Sequence, residues 1–154
     1  MNNRILLIGG VGAGKTTLKQ RLQCQTLSYC KTQVLEFSSL FVDSPGEYLE
    51  MPKYYHVLID MSQRVEEIWV LQDATRSRCF FPPNFVQSFR NPVIGIITKM
   101  DKEQASLEMA EKFLRQAGVL GQIYPVSSSS GKGIEPLAEH LEVLLANGED
   151  SESK

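Results

Sequence analysis

The stretch Gly9-Gly10-Val11-Gly12-Ala13-Gly14-Lys15-Thr16 decides the fold. It fits GxxxxGK[ST], follows the apolar run Arg4-Ile5-Leu6-Leu7-Ile8, and leads into Leu18-Lys19-Gln20-Arg21-Leu22, which has helical spacing. Strand, glycine-rich loop and helix in that order make a phosphate-binding loop. Glycines let backbone N–H groups turn inward around an anion, Lys15 reaches the terminal phosphates, and the Thr16 hydroxyl is placed to ligate Mg²⁺. A glycine-rich turn that holds nothing is the bland alternative, and a full match between strand and helix weighs against it. Gly9 through Thr17 are the expected phosphate contacts, and a nucleoside triphosphate is the expected ligand.

Outward from the loop, composition sets the frame. At 154 residues, 42% hydrophobic and 22% charged, the chain has the size of one domain with a proper core, taken as residues 1–146. Residues 147–154 are polar and acidic without an apolar anchor, and are expected to form a flexible tail. A net charge of −2 with scattered lysines and arginines supplies no electrostatic footprint for nucleic acid. No apolar run has the length to cross a bilayer, and the N-terminus passes straight into the loop-bearing strand, so a cytoplasmic, unexported protein is expected. Cys24, Cys30 and Cys79 are odd in number and lack metal-ligand spacing, which suits reduced thiols. His56 and His140 have no second ligand nearby in sequence and read as packing or surface residues, and Trp69 as a residue of a buried strand.

Apolar runs alternate with amphipathic ones, the mark of βα units on a parallel sheet covered on both faces. Strands are expected at 4–9, 66–72, 93–98 and 122–126, and helices at 15–23, about 51–63, 104–117 and 133–146. Between the first two helices, Gln33–Phe37 and Leu40–Asp43 flank Ser38-Ser39 and read as two short strands, an antiparallel edge pair on the sheet. Pro82-Pro83 opens a short helix before Asn91-Pro92. The stripe Leu107, Ala110, Phe113, Leu114 and Ala117, and the stripe Ile134, Leu137, Ala138, Leu141 and Leu144, read as core faces.

Further motifs follow the loop in order. Asp43-Ser44-Pro45-Gly46-Glu47 comes directly after a strand, where a carboxylate can hold Mg²⁺ through water and the Gly46 N–H can meet a γ-phosphate, so the segment reads as a phosphate-sensing switch. Thr98-Lys99-Met100-Asp101 closes the buried run Val93–Ile97. The Asp101 carboxylate can accept both the ring N–H and the exocyclic amine of guanine, a pattern adenine lacks, while the Lys99 stem lies along the base. Val126-Ser127-Ser128-Ser129-Ser130-Gly131-Lys132-Gly133 places backbone N–H groups of Ser127 and Ser128 where they can support the guanine carbonyl. A serine turn capping the last helix explains that segment nearly as well.

Taken together, these motifs resemble a small GTPase of the translation-factor-related class. Lys31-Thr32-Gln33, Asp43-Ser44-Pro45-Gly46-Glu47-Tyr48 and the phosphate loop more closely resemble the EutP/PduV family of small P-loop proteins associated with ethanolamine and propanediol utilisation, over residues 3–146. The resemblance implies an α/β P-loop NTPase domain binding GTP or GDP with Mg²⁺, Thr32 as the switch threonine that completes the metal shell with Thr16 and Asp43, and Lys15, Gly46 and Glu47 at the reacting phosphate. Three features depart from the common GTPase pattern. Thr98 replaces an asparagine and loses its amide hydrogen bonds to base and phosphate loop, Val11 crowds the space for an attacking water or an arginine finger, and Glu47 stands where glutamine or histidine positions water. Slow hydrolysis is therefore expected. The resemblance also admits a metabolite kinase, with acetate as first acceptor, ATP or GTP as donor, and Arg76 and Arg78 as available cations. A docking protein for a microcompartment shell is the remaining alternative.

Overall fold

The computed structural model describes the backbone of residues 4–30, 40–79 and 81–152, and the side chains of residues 4–24, 40–79 and 81–146. Its elements run β1 (Ile5–Ile8), α1 (Lys15–Cys30), β2 (Phe41–Asp43), α2 (Gly46–Glu50), α3 (Tyr55–Ser62), β3 (Glu67–Asp73), β4 (Val93–Thr98), α4 (Leu107–Gln116), β5 (Ile123–Pro125) and α5 (Ile134–Glu152). The five strands lie in the order β2-β1-β3-β4-β5, and every pairing is parallel. The chain goes to one side of β1 for β2 and to the other for β3. The strand order therefore reverses at β1, and the carboxyl ends of β1 and β3 form the crevice where doubly wound sheets place ligands.

Both faces of the sheet are covered, which is why the strands read as unbroken apolar runs rather than alternating ones. Successive side chains leave a strand on opposite faces. Leu6, Ile8, Ile68 and Val70 pack with Leu49, Leu58, Phe85, Ala110 and Leu114 on one side. Ile5, Leu7, Trp69, Leu71, Ile94 and Ile96 pack with Leu18, Leu22, Leu137 and Leu141 on the other. The stripe of α5 is core as expected, with Leu144 partly buried, whereas at α4 Leu107 is 41% exposed because the helix starts there rather than at 104. Ser106 sets that start by accepting a hydrogen bond from the Met109 N–H at 3.3 Å, and Gly118, with φ +102°, follows its last turn.

Four stretches differ from the sequence expectation. The helix expected at about 51–63 starts late: Met51 is extended (φ −121°, ψ 110°), a 3-10 turn covers Pro52–Tyr54, and α3 begins at Tyr55, while α2 (Gly46–Glu50) is a separate short helix that the sequence reading did not include. Pro52 is the cause, since a proline pushes its predecessor out of the helical region. The short helix after Pro82-Pro83 is a 3-10 turn over Phe85–Ser88. The Leu40–Asp43 member of the expected antiparallel edge pair yields β2, which joins the sheet in parallel with β1, while Gln33–Phe37 lies outside the described residues. The helix α5 runs to Glu152, into the stretch expected as a tail. Among the described residues no helix is long and apolar enough to cross a membrane.

Candidate functional site

The phosphate loop spans the gap between β1 and the first turn of α1, as its sequence requires. Gly12 (φ +77°) and Gly14 (φ +99°) take left-handed backbone that other residues rarely adopt. Gly9 has no room for a side chain, since a Cβ there would stand 3.0 Å from the Ala13 Cβ and 3.2 Å from the Leu71 Cβ. The turn is closed by the Ala13 N–H donating to Gly10 O at 3.1 Å. Lys15 folds back over it, donating to Gly9 O at 2.8 Å and to Gly10 O at 3.5 Å. Burial pushes its ammonium pKa below the ordinary lysine value, against the opposing pull of Asp43, Glu47 and Glu50. A half-buried cation ringed by carbonyls gains from an incoming phosphate. Thr16 and Thr17 stand exposed at the start of α1.

The switch segment lies directly on this loop. Ser44 is buried and tied to β1, its hydroxyl donating to Leu7 O at 2.7 Å. That bond delivers Gly46, the first residue of α2, onto the loop, where a Cβ would fall 2.5 Å from Val11 N and 2.7 Å from Val11 Cα. Only glycine permits this contact. Asp43, at the end of β2, is in an ion pair with Lys19, one turn along α1 from Thr16. Thr16 and Asp43 are hard oxygen donors of the type Mg²⁺ takes, so the pair fits that ion. Glu47 is exposed and, with Glu50, Met51, Tyr55 and Arg78, lines a hollow of about 390 Å³ beside Gly46. Val11 is 48% exposed on the loop's outer side. Thr32 lies outside the described residues.

At the end of β4 the structure corrects one expectation. Thr98 keeps the tie to the phosphate loop that the missing asparagine was expected to cost: its buried hydroxyl donates to Ala13 O at 2.7 Å. Lys99 takes left-handed backbone (φ 61°) and reaches over the loop to donate to Gly12 O at 2.8 Å. Asp101 is exposed and accepts a hydrogen bond from the Ser129 hydroxyl at 3.2 Å. The Ser127 hydroxyl foremost, with the Asp101 N–H and Ser129 behind it, prevails over the opposing effect of burial and holds the Asp101 carboxyl below the usual carboxylate range. Gly14, Thr17, Thr98, Lys99, Asp101, Lys102, Ser128 and Ser129 surround a pocket of about 140 Å³. Ser127 is a second correction. Its N–H donates to Lys132 O at 2.8 Å, closing the serine turn on itself, so that donor is committed inside the loop, whereas Ser128 faces the pocket.

Asp73 was not read from the sequence, although an aspartate ending a buried strand two residues before threonine is a turn signal. Its carboxylate is 4% exposed and accepts from the Thr75 N–H at 2.8 Å, the Thr75 hydroxyl at 2.6 Å and Lys99 Nζ at 2.9 Å. Burial alone would raise its pKa, but these hydrogen bonds and the Lys99 charge prevail and hold it below the ordinary value. Lys19 was likewise passed over as a site residue.

Solved structures share the fold. The translation elongation factor SelB of Methanococcus maripaludis superimposes with a TM-score of 0.60 at 20% identity, covering 96% of this chain and 35% of that one. A second structure of the same factor, in complex with the GTP analogue GppNHp, gives the same score over 95% of this chain and 34% of that one. This chain thus spans about a third of that factor. The propanediol utilization protein PduV of Citrobacter freundii is 33% identical over 135 residues, 87% of this chain and 89% of that protein. The EutP protein of Escherichia coli strain K12, named a probable acetate kinase, is 30% identical over 151 residues, 97% of this chain and 95% of its own length. The PduV-EutP family model, described as ethanolamine utilisation and propanediol utilisation, matches residues 2–143, so this P-loop protein belongs to the PduV-EutP family.

Proposed function

We propose that the protein binds guanine nucleotides and hydrolyses GTP slowly, acting as a switch or accessory factor in ethanolamine or propanediol utilisation, with association to the microcompartment shell as the accessory role. The observation that carries this reading is the pocket between Gly14 and Ser129, open to Asp101 and continuous with the start of α1. A carboxylate kept ionised by serine hydroxyls can accept both N–H groups on the guanine edge, and Lys99 can cover the base. The triphosphate then lies along the inward N–H groups of Gly12 and of Gly14 to Thr17, with Lys15 leaving its carbonyls for the terminal phosphates. Thr16 and Asp43, with Thr32 by family resemblance, would hold Mg²⁺, which neutralises phosphate charge. For Asp43 this means release from Lys19. Gly46 rests where it would move away to admit a γ-phosphate, and that displacement of α2 is the switch. Exposed Glu47 offers an attacking water no amide or imidazole, which supports slow turnover.

Calorimetric titration of nucleotide-free protein with GTP, GDP and ATP in Mg²⁺ tests this. Guanine nucleotides are expected to bind more tightly than ATP by a few kcal/mol, a preference lost in Asp101→Ala. Equal affinity for GTP and ATP in the parent protein sinks the reading.

The hollow beside Gly46 supports a second reading, phosphoryl transfer to a small acceptor such as acetate, in line with the name of the E. coli relative. Acceptor would enter between Glu47 and Arg78. Incubation with nucleotide, acetate and hydroxylamine is then expected to accumulate acetohydroxamate, and no product with no acceleration of turnover removes it.

A further inference from the structure

A charged cluster on the rim of the phosphate loop includes one cation, Arg76, that the guanine-nucleotide reading above does not use. Asp73 Oδ2 holds Lys99 Nζ at 2.9 Å and faces Arg76 Nε at 3.7 Å. The same two cations donate to consecutive carbonyls of the phosphate loop, Lys99 to Gly12 O at 2.8 Å and Arg76 Nη2 to Val11 O at 3.1 Å. Lys99 belongs to the base motif. Arg76 belongs to none, yet it comes from 65 residues along the chain to a loop whose other face would cradle phosphates.

We propose that Arg76 is a built-in arginine for the β- and γ-phosphates of the bound nucleotide, and that Asp73 is the residue that positions it. The proposal rests on the triphosphate-binding reading. In hydrolysis a water oxygen bonds to the γ-phosphorus as the bond to the β–γ bridging oxygen breaks. The electron pair stays on that oxygen of the departing diphosphate, and the proton of the water passes to phosphate or solvent. Charge builds on the bridging oxygen and the γ-oxygens, and a forked guanidinium matches both at once.

The geometry suits a delivered group. Arg76 is 44% exposed, so its head can exchange one acceptor, the Val11 carbonyl, for another without unpacking the core. Its base is fixed: the Arg76 N–H donates to Asp73 O at 3.1 Å, and the Thr75 bonds to Asp73 Oδ1 lock the turn between them. Arg76 Nη2 passes close to Gly12, at ordinary contact distance (3.4 Å) from where a Cβ would stand. Val11 carries its side chain on the solvent side, and Arg76 reaches the loop through the Val11 carbonyl. An arginine supplied from within frees the protein from needing one from a partner.

The test uses the full chain with GDP, Mg²⁺ and aluminium fluoride, whose complex with GDP mimics the transferring phosphoryl group. The parent protein is expected to bind GDP more tightly when aluminium fluoride is present. Arg76→Ala is expected to lose the fluoride-dependent gain, read as the ratio of its own GDP affinities with and without aluminium fluoride, and to lower kcat by about 10²-fold. Arg76→Lys keeps a charge but not the fork, and is expected to recover only a minor part of the gain. Asp73→Asn is expected to diminish the gain while leaving the acid–base profile of kcat in place, as a positioning role requires. Equal fluoride-dependent gains in the parent and in Arg76→Ala overturn the proposal. So does a parent protein that binds GDP without any gain. Failure of the parent to bind GDP would instead fell the nucleotide reading beneath it.

Discussion

Thr98 shows how one hydroxyl can take over a task usually given to an amide. Closing β4, it is 2% exposed and donates to Ala13 O at 2.7 Å, a short buried bond that ties the end of the strand to the turn of the phosphate loop beside the Lys99 bond to Gly12 O. Thr98→Val keeps the shape and removes the donor, leaving a buried carbonyl unpaired. A loss of about 1–2 kcal/mol is expected in urea unfolding, with weaker nucleotide binding beside it. Stability unchanged by the substitution would mean the bond has no net worth. Lys15 makes a related point. Its place in the motif was legible from the sequence, because the loop, its glycines and its lysine are contiguous, but its resting partners Gly9 O and Gly10 O are a matter of three-dimensional folding back.

Among the elements, α2 is constrained at both ends. It lasts from Gly46 to Glu50, stops before Met51 because Pro52 follows, and starts where a glycine can lie flat against Val11. Gly46→Ala places a methyl 2.5 Å from Val11 N, and α2 must lift off the loop. The expected cost is about 1–3 kcal/mol by thermal or chemical denaturation. Faster amide exchange confined to α2 and the phosphate loop would locate the damage, and an unaltered exchange pattern there would contradict this account. The extended Met51 that parts α2 from α3 was written in Pro52, whereas the seating of Gly46 was not, since it needs the register of β2 on β1 that pairs Leu7 with Asp43. Serine-rich sequence after β5 was ambiguous for a physical reason: Gly131 (φ +84°) and Gly133 (φ +78°) let the turn curl until the Ser127 N–H meets Lys132 O, a long way round from the base-edge contact.

At the scale of the whole molecule, parallel pairing brings together what the chain keeps apart. The register of β3 on β4 sets Asp73 opposite Thr98, and that alignment alone brings Lys99 to the buried carboxylate. No local pattern contains this pairing, which is why the fold and its phosphate loop were legible in the sequence and the Asp73 cluster was not. The cluster also fixes how the molecule responds to acid. A carboxyl held below its ordinary pKa contributes stability that is present above the unfolded value and is lost as pH falls through the lower folded value. Asp73→Asn is therefore expected to lower stability by about 1–3 kcal/mol near pH 7 and to narrow the gap to the parent as acid is added, read from urea midpoints across that range. A gap that is constant with pH would assign the effect to packing. Earlier on β3, the single tryptophan, Trp69, is fully buried, with its indole N–H donating to Glu67 Oε2 at 3.2 Å and His140 within 2.8 Å of the same carboxylate. Such an indole, sealed among α1 and α5 side chains away from the nucleotide pocket, has an emission governed by the seat of the last helix. The protein thus carries its own optical gauge of unfolding, one that stays dark to ligand unless occupancy of the loop is relayed through the sheet.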